Sequence, residues 1–456
     1  MERDVVPKIS CDPPGSKAKV SIEKAKGLVT PALSRYLPLV ISRAEGATIT
    51  DVDGNVYLDF MSGVAVMNLG YGHPKVIEAI KRQSESLMHY SGYIGLHETY
   101  IRLAEKLQEI APCESLREAK VCFVNSGTEA VEAALKLARA YEKRSIIASF
   151  IPAYHGHIGM GALSITTMKA SMRKKLTSVL SGAISVPYAY CYRCLLGHTY
   201  PDCNLACIKY LERIFETVMP PEDVAALVVE PIMGGAGYVV PPDEFLPSLQ
   251  RLCRDNSILL VCDEVQSGFG RTGKMFALEH WSIQPDLMTI SKGMGGGLPI
   301  GGIIARKEIM DLWEPGGFGT TLGGNPMACA AGLATIEALQ DERLMENATK
   351  VGNHILMRLN QMKQRHELIG DVRGKGLMIG VELVKDRRTK EPAVEETKTT
   401  ALEAFKRGLI ITPSGTYGNV IRILPPLILT LEMADKGIDI LDETLNDIER
   451  KCARAL

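Results

Sequence analysis

The 456-residue sequence lacks an excess of charge of either sign, since 52 lysines and arginines stand against 53 aspartates and glutamates, for a formal net charge of −1. It therefore has no global positive field to attract nucleic acid or an anionic membrane. It also has no uninterrupted apolar run near the ~18 residues that suggest a membrane span, no repeat period and no low-complexity tract. These absences leave a small molecule or a second copy of the chain as the expected partner.

Signals for export and for a disulfide framework are missing as well. The chain starts with the charged Met1-Glu2-Arg3-Asp4 and has no apolar stretch of a secretory signal there, so we expect a cytoplasmic protein. The eleven cysteines are odd in number. Most of them, including Cys122, Cys253, Cys262 and Cys329, sit singly in apolar segments, where a thiol packs as a small hydrophobe. Reduced thiols fit a reducing compartment.

What is present describes an ordinary globular chain. Hydrophobic residues make up 46% and charged residues 23%, which excludes the disordered and fibrous classes. At roughly 100–200 residues per domain, the length predicts two or three domains. We expect the polar first thirty residues to form a loose arm, and residues 46–60 to form a β-hairpin around the turn Asp53-Gly54-Asn55.

From residue 74 onward, helical patterns alternate with short apolar runs rich in β-branched residues. The patterns predict helices over 74–88, 98–110, 126–143 and 327–361, and strands over 120–124, 145–149, 225–230, 258–262, 286–290, 377–383 and 420–424. This alternation favours an α/β fold with a mainly parallel central sheet covered on both faces. A separate α+β lobe is expected to begin near residue 345.

Three of the predicted strands end in reactive side chains: Glu230, Asp263 and Lys292. Ligands of open α/β sheets bind beyond the carboxyl ends of the strands, so these side chains should converge on one crevice, although each alone could simply mark a strand end. Lys292 enters a glycine-rich turn that leaves space around its amine. A carboxylate close to an imine-forming lysine is what pyridoxal 5′-phosphate (PLP) needs, because the carboxylate keeps the ring nitrogen protonated as an electron sink.

A phosphate seat is expected where the strand ending at Val124 turns into a helix. The amides and hydroxyls of Ser126, Gly127 and Thr128 would meet a phosphate at the positive end of that helix. The alternative is an ordinary capping turn.

Five co-linear motifs together resemble those of the class III PLP-dependent aminotransferases. They are Asn125-Ser-Gly-Thr-Glu-Ala130, Tyr154-His-Gly156, Asp263-Glu-Val-Gln-Ser-Gly-Phe-Gly-Arg-Thr-Gly273, Ser291-Lys-Gly293 and Thr321-Leu-Gly-Gly-Asn-Pro326. The resemblance implies the PLP-dependent transferase fold type I and a homodimer, or a tetramer, whose active sites lie at the subunit interface. It also implies an N-terminal arm with part of the small domain in residues 1–70, a large PLP-binding domain in 71–344 and a C-terminal small domain in 345–456.

The same resemblance implies a role for each motif residue. Lys292 would be the Schiff-base (aldimine) lysine and proton shuttle, and Asp263 would pair with the pyridinium nitrogen. Gln266 would reach the ring hydroxyl, and Tyr154 would stack on the ring with His155 beside it. The phosphate would be held by Ser126, Gly127 and Thr128, together with Thr321 of the partner subunit. Glu230 would lie beside the cofactor and position Gln266. The implied reaction moves an amino group from an amine or amino acid to an α-keto acid in two ping-pong half-reactions.

Substrate recognition departs from the family pattern at two positions. Arg422 matches the family arginine that grips the substrate α-carboxylate. Where the 4-aminobutyrate and ornithine enzymes carry a gate glutamate this chain has Gly235, and where the 4-aminobutyrate enzymes carry an arginine it has His157. These changes favour simple amines, ω-amino acids bound differently or neutral amino acids as donors, with pyruvate or 2-oxoglutarate as acceptor.

An insert carries Cys191, Cys194, Cys203 and Cys207 in a C-x2-C…C-x3-C pattern. Four thiolates at this spacing could hold a structural zinc, but a packed cluster of reduced thiols and a pair of disulfides are alternatives. In none of these is the insert the catalytic centre, and we assign no metal to the active site.

Other functions on the same scaffold remain open at this point. A racemase or epimerase would return the proton to Cα with Lys292 and a second base, and a decarboxylating transaminase would release carbon dioxide. A cofactor-holding subunit without turnover is disfavoured by the presence of Lys292, Asp263 and Gln266 together. A dinucleotide-binding enzyme is disfavoured because no G-x-G-x-x-G opens a helix after the first strand.

Overall fold

The computed structural model describes residues 6–455 of the chain, so the charged start considered above, residues 1–5, lies outside the described residues. The chain folds into two compact units. The larger consists of Pro74–Met345, and the smaller combines the described residues through His73 with those from Glu346 onward.

The chain alternates helices and strands along most of its length. The helices are α1 (Ser16–Leu28), α2 (Ser62–Ala65), α3 (Pro74–Ser86), α4 (Glu98–Glu109), α5 (Gly127–Glu142), α6 (Met160–Ser164), α7 (Ala206–Thr217), α8 (Phe245–Asp255), α9 (Lys307–Met310), α10 (Pro326–Asp341), α11 (Leu344–Arg365), α12 (Val394–Lys406) and α13 (Leu431–Ala455). The strands are β1 (Ile41–Glu45), β2 (Thr48–Asp51), β3 (Val56–Asp59), β4 (Lys120–Val124), β5 (Ile146–Ile151), β6 (Ala183–Pro187), β7 (Val224–Val229), β8 (Leu259–Asp263), β9 (Leu287–Ile290), β10 (Gly301–Ala305), β11 (Ile369–Lys375), β12 (Met378–Asp386), β13 (Glu391–Pro392), β14 (Leu409–Ile410), β15 (Thr412–Ser414) and β16 (Val420–Ile423).

The larger unit is built on a seven-stranded sheet of order β4-β10-β9-β8-β7-β5-β6. β10 runs antiparallel to both of its neighbours, whereas the pairs from β9 to β6 are all parallel. Helix α5 packs its small apolar face on this sheet, where Ala130, Ala134 and Leu137 are buried with Val228 and Val261. The mainly parallel central sheet expected from the sequence is confirmed.

The smaller unit contains two further sheets. One has the order β1-β2-β3-β14, and it includes the expected hairpin, since β2 and β3 pair antiparallel across the turn at Asp53-Gly54-Asn55. The other has the order β11-β12-β16-β15, with β13 paired to β12.

Two expectations about helices were wrong. The first thirty residues are not simply a loose arm, because α1 forms there and its first turn is capped by a distant side chain: Lys17 N and Ala18 N donate to the two oxygens of Asp53, both at 2.9 Å. The helix expected over 327–361 is divided into α10 and α11, because Arg343 between them adopts a left-handed conformation with φ of 53°. Neither α1 nor the break between α10 and α11 has a strong pattern in the local sequence.

Within residues 6–455, no helix combines the length and the apolar character needed to cross a bilayer.

Candidate active site

Three neighbouring strands of the larger unit end at one edge of its sheet. β7 pairs with β8 and β8 with β9, all in parallel. Parallel strands point the same way, so their carboxyl ends share an edge. Glu230, Asp263 and Lys292, which lie at or just beyond these ends, therefore follow one another along that edge.

Asp263 is held by three donors at this edge. His155 Nδ1 donates to Asp263 Oδ2 at 2.6 Å, and Asp263 Oδ1 accepts from Thr289 Oγ1 at 3.0 Å and from Val265 N at 3.1 Å. Both Asp263 and His155 are buried. Burial opposes the charged imidazole, but the hydrogen bond and negative charge of Asp263, with Glu230 nearby, raise the net pKa of His155 above its ordinary value. These three hydrogen bonds fix the orientation of the buried carboxylate.

Two buried polar atoms beside Asp263 have no hydrogen-bond partner within the described part of the chain. They are His155 Nε2 and Gln266 Oε1. Buried polar groups of proteins are normally paired, so such atoms call for a polar ligand. A carboxylate for a ring nitrogen and an amide for a ring hydroxyl fit PLP, and these residues would hold it.

Glu230 accepts hydrogen bonds from two separate loops. Its Oε1 accepts from Tyr154 N at 3.0 Å and its Oε2 accepts from Gly234 N at 2.8 Å. Burial, and then the charge of Asp263, raise its pKa against the opposing influence of His155 and these two amides. Gln266 Oε1 lies directly against Gly234, where an added Cβ would collide with it. Glu230 thus positions Gly234, the residue that Gln266 Oε1 contacts.

The expected phosphate seat lies at the N-terminus of the 16-residue helix α5. Ser126 is the N-cap, and its hydroxyl accepts from Glu129 N at 3.2 Å. A Cβ on Gly127 would stand 2.6 Å from Cγ1 of Val265, so only glycine allows the first turn to approach that loop. Thr128 contacts the Tyr154 loop, because a Cβ on Gly156 would lie 2.6 Å from Thr128 Oγ1. The unpaired amides of a helix N-terminus attract anions.

Lys292 opens a short 3-10 helix, Lys292–Gly295, directly after β9. Its φ of 42° is in the left-handed region, which costs a non-glycine residue free energy and is concentrated at functional sites. Before it, Ser291 Oγ donates to Ile300 O at 2.7 Å, which fixes the turn.

Tyr154 and His157 form a second pair at this edge. Tyr154 Oη lies 2.7 Å from His157 Nδ1, and the two rings are edge to face with centroids 5.2 Å apart. Burial, and then the charges of Glu230 and Asp263, raise the pKa of the Tyr154 phenol. Gly235 packs against Tyr154, since a Cβ on Gly235 would lie 3.0 Å from Tyr154 Cβ.

Two further expected site residues are in other elements. Arg422 is in β16 of the smaller unit, where its Nη2 donates to Thr412 Oγ1 at 3.1 Å. Thr321 is exposed in the loop before α10.

The cysteine-rich insert follows β6, the strand at one end of the seven-stranded sheet. All eleven cysteines are free, and Cys191, Cys194, Cys203 and Cys207 line a cavity of about 20 Å³. Burial, with neighbouring thiols adding to it, raises the pKa of Cys191 and of Cys207 to about 11. Among residues 6–455, no three His, Cys, Asp or Glu side chains are grouped so as to hold a metal ion.

Two features of this site were not among the sequence-based predictions: Thr289 and the pairing of His155 with Asp263. Thr289 had a usable signal, because it lies opposite Asp263 if β8 and β9 are parallel and in register. His155 is 108 residues from Asp263, and no local pattern connects them.

Comparison with known proteins identifies the family. The sequence profile of "Aminotransferase class-III" matches residues 30–445. The chain belongs to the class-III aminotransferases. It is an enzyme of the PLP-dependent kind, and its cofactor is PLP.

Relatives of this class-III aminotransferase carry different names. The leucine/methionine racemase of Thermococcus litoralis is 44% identical over 92% of this chain and 94% of its own length. The alanine/serine racemase of Pyrococcus horikoshii is 42% identical over 98% and 95%. A probable 4-aminobutyrate aminotransferase of Bacillus subtilis is 38% identical over 88% and 92%.

Solved structures agree with this placement. An amine transaminase from an uncultivated Pseudomonas species, in the PLP-bound form, superposes with a TM-score of 0.84 at 33% identity, covering 90% of this chain and 95% of that one. The expected fold type I is therefore confirmed.

Proposed function

We propose that this class-III enzyme is an aminotransferase that moves an amino group from an amine, an ω-amino acid or a neutral amino acid to an α-keto acid such as pyruvate or 2-oxoglutarate. The observation that carries the proposal is the row of strand ends, where Lys292 follows β9, Asp263 ends β8 and the N-terminus of α5 faces the same edge. When bound, PLP supplies the electron-withdrawing ring that makes the Cα proton of the donor acidic.

Different residues of the chain have different roles in the proposed reaction. Asp263, held by His155 and Thr289, keeps a proton at the ring nitrogen. Ser126, Gly127 and Thr128 hold the phosphate at the helix N-terminus. Lys292 Nζ takes the proton from the donor's Cα and holds it for return, as a general base of the kind that accelerates such steps 10²–10⁴-fold.

The proposed donor preference follows from the absence of a charged side chain at Gly235, beside Tyr154. Gly235 contributes no charge where other family members carry a gate glutamate, and an added side chain would meet Tyr154 and Met168. Arg422 would bind the α-carboxylate of the amino acid or the keto acid through a bidentate pair. Neutral amino acids and amines suit such a pocket.

A homodimer with shared active sites, working in the cytoplasm, belongs to the same proposal. Large apolar side chains are exposed in a run at Leu87, Met88, Tyr90, Tyr93, Ile94 and Leu96, and Leu322 beside Thr321 is exposed as well. Such patches on a globular protein mark an interaction surface. A second copy covering them would carry Thr321 toward the neighbouring active site.

Racemisation of neutral amino acids is a second candidate function. It is favoured by the two relatives of this chain at 44% and 42% identity, which are named as racemases. A racemase consumes no acceptor, whereas an aminotransferase releases a stoichiometric keto acid from its donor.

The test is to titrate the purified holoenzyme, without acceptor, with 4-aminobutyrate, β-alanine, L-ornithine, L- and D-alanine, L-glutamate and an arylalkylamine. We expect neutral donors to bleach the visible absorption of the bound cofactor and to yield one equivalent of carbonyl product. If every amino acid shifts the band, none bleaches it and the enantiomers interconvert, the aminotransferase proposal is wrong and the racemase takes its place.

A further inference from the structure

We propose that Tyr154 and His157 form a proton-transfer pair on the side of the active site away from Lys292, which gives the enzyme a second activity, the interconversion of L- and D-forms of neutral amino acids. The inference rests on the proposed function, because it assumes that Lys292 removes the Cα proton. It assigns Tyr154 as the second proton-transfer group, a role that the resemblance gave to no residue.

The order of strands places the two proton carriers on opposite sides of Asp263. Along the sheet the order is β9, β8, β7, β5. Lys292 follows β9, Asp263 ends β8, and Tyr154 lies three residues beyond β5. Strands are spaced about 4.8 Å apart, so β9 and β5 are separated by roughly 14 Å. A substrate anchored over the middle of this edge therefore has Lys292 on one flank and Tyr154 on the other.

The contacts of the pair suit proton delivery from water. The 2.7 Å separation between Tyr154 Oη and His157 Nδ1 is that of a strong hydrogen bond. Tyr154 is half-buried and His157 is exposed. A proton can thus pass from solvent to the imidazole and from the imidazole to a phenol inside the site.

Charges around the phenol keep it an acid. Glu230 and Asp263 are the charged groups facing it from the ends of β7 and β8, and their negative charge, after burial, holds the phenol in its protonated form. Its backbone N–H donates to Glu230 Oε1 at 3.0 Å, which fixes the main chain that carries the ring. Gly235 packs closely against the tyrosine, because an added Cβ there would lie 3.0 Å from Tyr154 Cβ and 2.6 Å from Met168 Sδ.

The proton balance of the step closes without a co-reactant. Lys292 Nζ removes the proton from Cα on one side and afterwards releases it to water, and the D-form returns to the L-form by the reverse of the same transfers. Tyr154 Oη gives its proton to Cα on the other side, the Nδ1 proton of His157 replaces it, and the exposed imidazole recovers a proton from water. No electron donor or acceptor is needed, and the amino group stays on the substrate.

The first experiment needs no cofactor. The nitrogen signals of the histidine rings are followed by NMR in the apo-protein, with the His157 Nδ1 signal identified by its loss in His157→Asn. We expect Tyr154→Phe, which removes the hydroxyl that lies 2.7 Å from Nδ1, to change the chemical shift of that signal, and Tyr210→Phe, a change at an exposed tyrosine on α7, to leave it in place. An unchanged His157 Nδ1 signal in Tyr154→Phe would overturn the pair.

The second experiment uses the holoenzyme with a neutral L-amino acid accepted in the donor titration, in D2O. We expect the wild type to form the D-enantiomer carrying deuterium at Cα. The ratio of racemisation to transamination should fall about 100-fold in both Tyr154→Phe and His157→Asn, and remain as in the wild type for the matched exposed changes Tyr210→Phe and His198→Gln. Retention of the wild-type ratio in Tyr154→Phe would overturn the proposal.

The two proposals fail in different ways. Transamination without any D-enantiomer from the wild type overturns the second activity and leaves the aminotransferase intact. Absence of keto acid from every donor overturns the aminotransferase, and the D-enantiomer measurement then still decides for or against the Tyr154–His157 pair.

Discussion

His155 Nδ1 lies 2.6 Å from Asp263 Oδ2, and both side chains are buried. A carboxylate in this environment is costly unless its lone pairs are taken by donors. The imidazole supplies the strongest of these donors, while Thr289 and Val265 satisfy the other oxygen. These hydrogen bonds therefore fix the orientation of the proposed cofactor-binding carboxylate before a ligand binds.

Replacing His155 by leucine removes this donor from Asp263. We expect the free energy of unfolding of the apo-protein to fall by about 1.5–3 kcal/mol, the range for a hydrogen bond to a charged group, and PLP to bind more weakly. Urea unfolding and a cofactor titration check the two effects. The exposed His198→Gln is the control, and equal stability of the His155 variant and the wild type would show that the contact contributes nothing.

Replacing Gly127 by alanine tests the phosphate seat. The new Cβ would stand 2.6 Å from Val265 Cγ1, so the first turn of α5 must move. We expect the dissociation constant of PLP to rise about tenfold, equivalent to 1.4 kcal/mol. Gly27→Ala in α1 is the matched control, because nothing lies within 4 Å of that position. If the two variants bind PLP equally well, the seat is elsewhere.

Replacing Lys292 by alanine removes the proposed proton carrier. We expect the protein to keep PLP but to lose the visible absorption of the lysine-linked cofactor, and turnover to fall at least 10²–10⁴-fold. Absorbance and keto-acid release are the measurements, with Lys174→Ala, at an exposed lysine, as the control. Undiminished turnover in the Lys292 variant is the result that contradicts the assignment.

A buried histidine in the smaller unit predicts a pH dependence of stability. His366 lies between α11 and α13, with Nε2 at 2.5 Å from Asp442 Oδ1 and Nδ1 at 2.9 Å from Glu449 Oε2. Burial opposes its charge, but the two carboxylates raise the pKa of His366 above its ordinary value. Burial likewise opposes their ionisation, but His366 and neighbouring donors lower the pKa of Asp442 and of Glu449.

The sign of the effect follows from these shifts. The contribution of His366 is complete below its unfolded pKa of about 6.5 and is lost as the pH rises through its higher folded value. The contribution of the carboxylates is present above about pH 4.3 and is lost as the pH falls through their lowered folded values. Urea unfolding at pH 5 to 9 should therefore show stability declining above pH 6.5.

The variant His366→Gln checks this assignment. We expect it to lose about 1.5–3 kcal/mol at pH 6 and to show a smaller decline between pH 6.5 and 9 than the wild type. His198→Gln should keep the wild-type profile. An identical pH profile in His366→Gln and the wild type would assign the titration to another group.

Much of the fold was readable from local pattern. Strands β4, β7, β8 and β9 were expected within one or two residues of their observed ends, since their β-branched runs have no competing helical period. β10 was missed because its Gly301 and Gly302 weaken any strand pattern, and the sheet selects it by pairing it antiparallel between β4 and β9. Helix α1 was missed for the same kind of reason, because its cap, Asp53, is 35 or more residues away.

The sequence by itself determined that Glu230, Asp263 and Lys292 stand at strand ends, because chain order and strand periodicity decide that locally. It also determined the family, through motifs whose residues are close neighbours in the chain. Only the tertiary structure decided which side chains meet there: His155 with Asp263 across 108 residues, and Glu230 with Tyr154 across 76. Those pairings depend on the order of strands in the sheet, which arises from the packing of the whole unit and from no single segment.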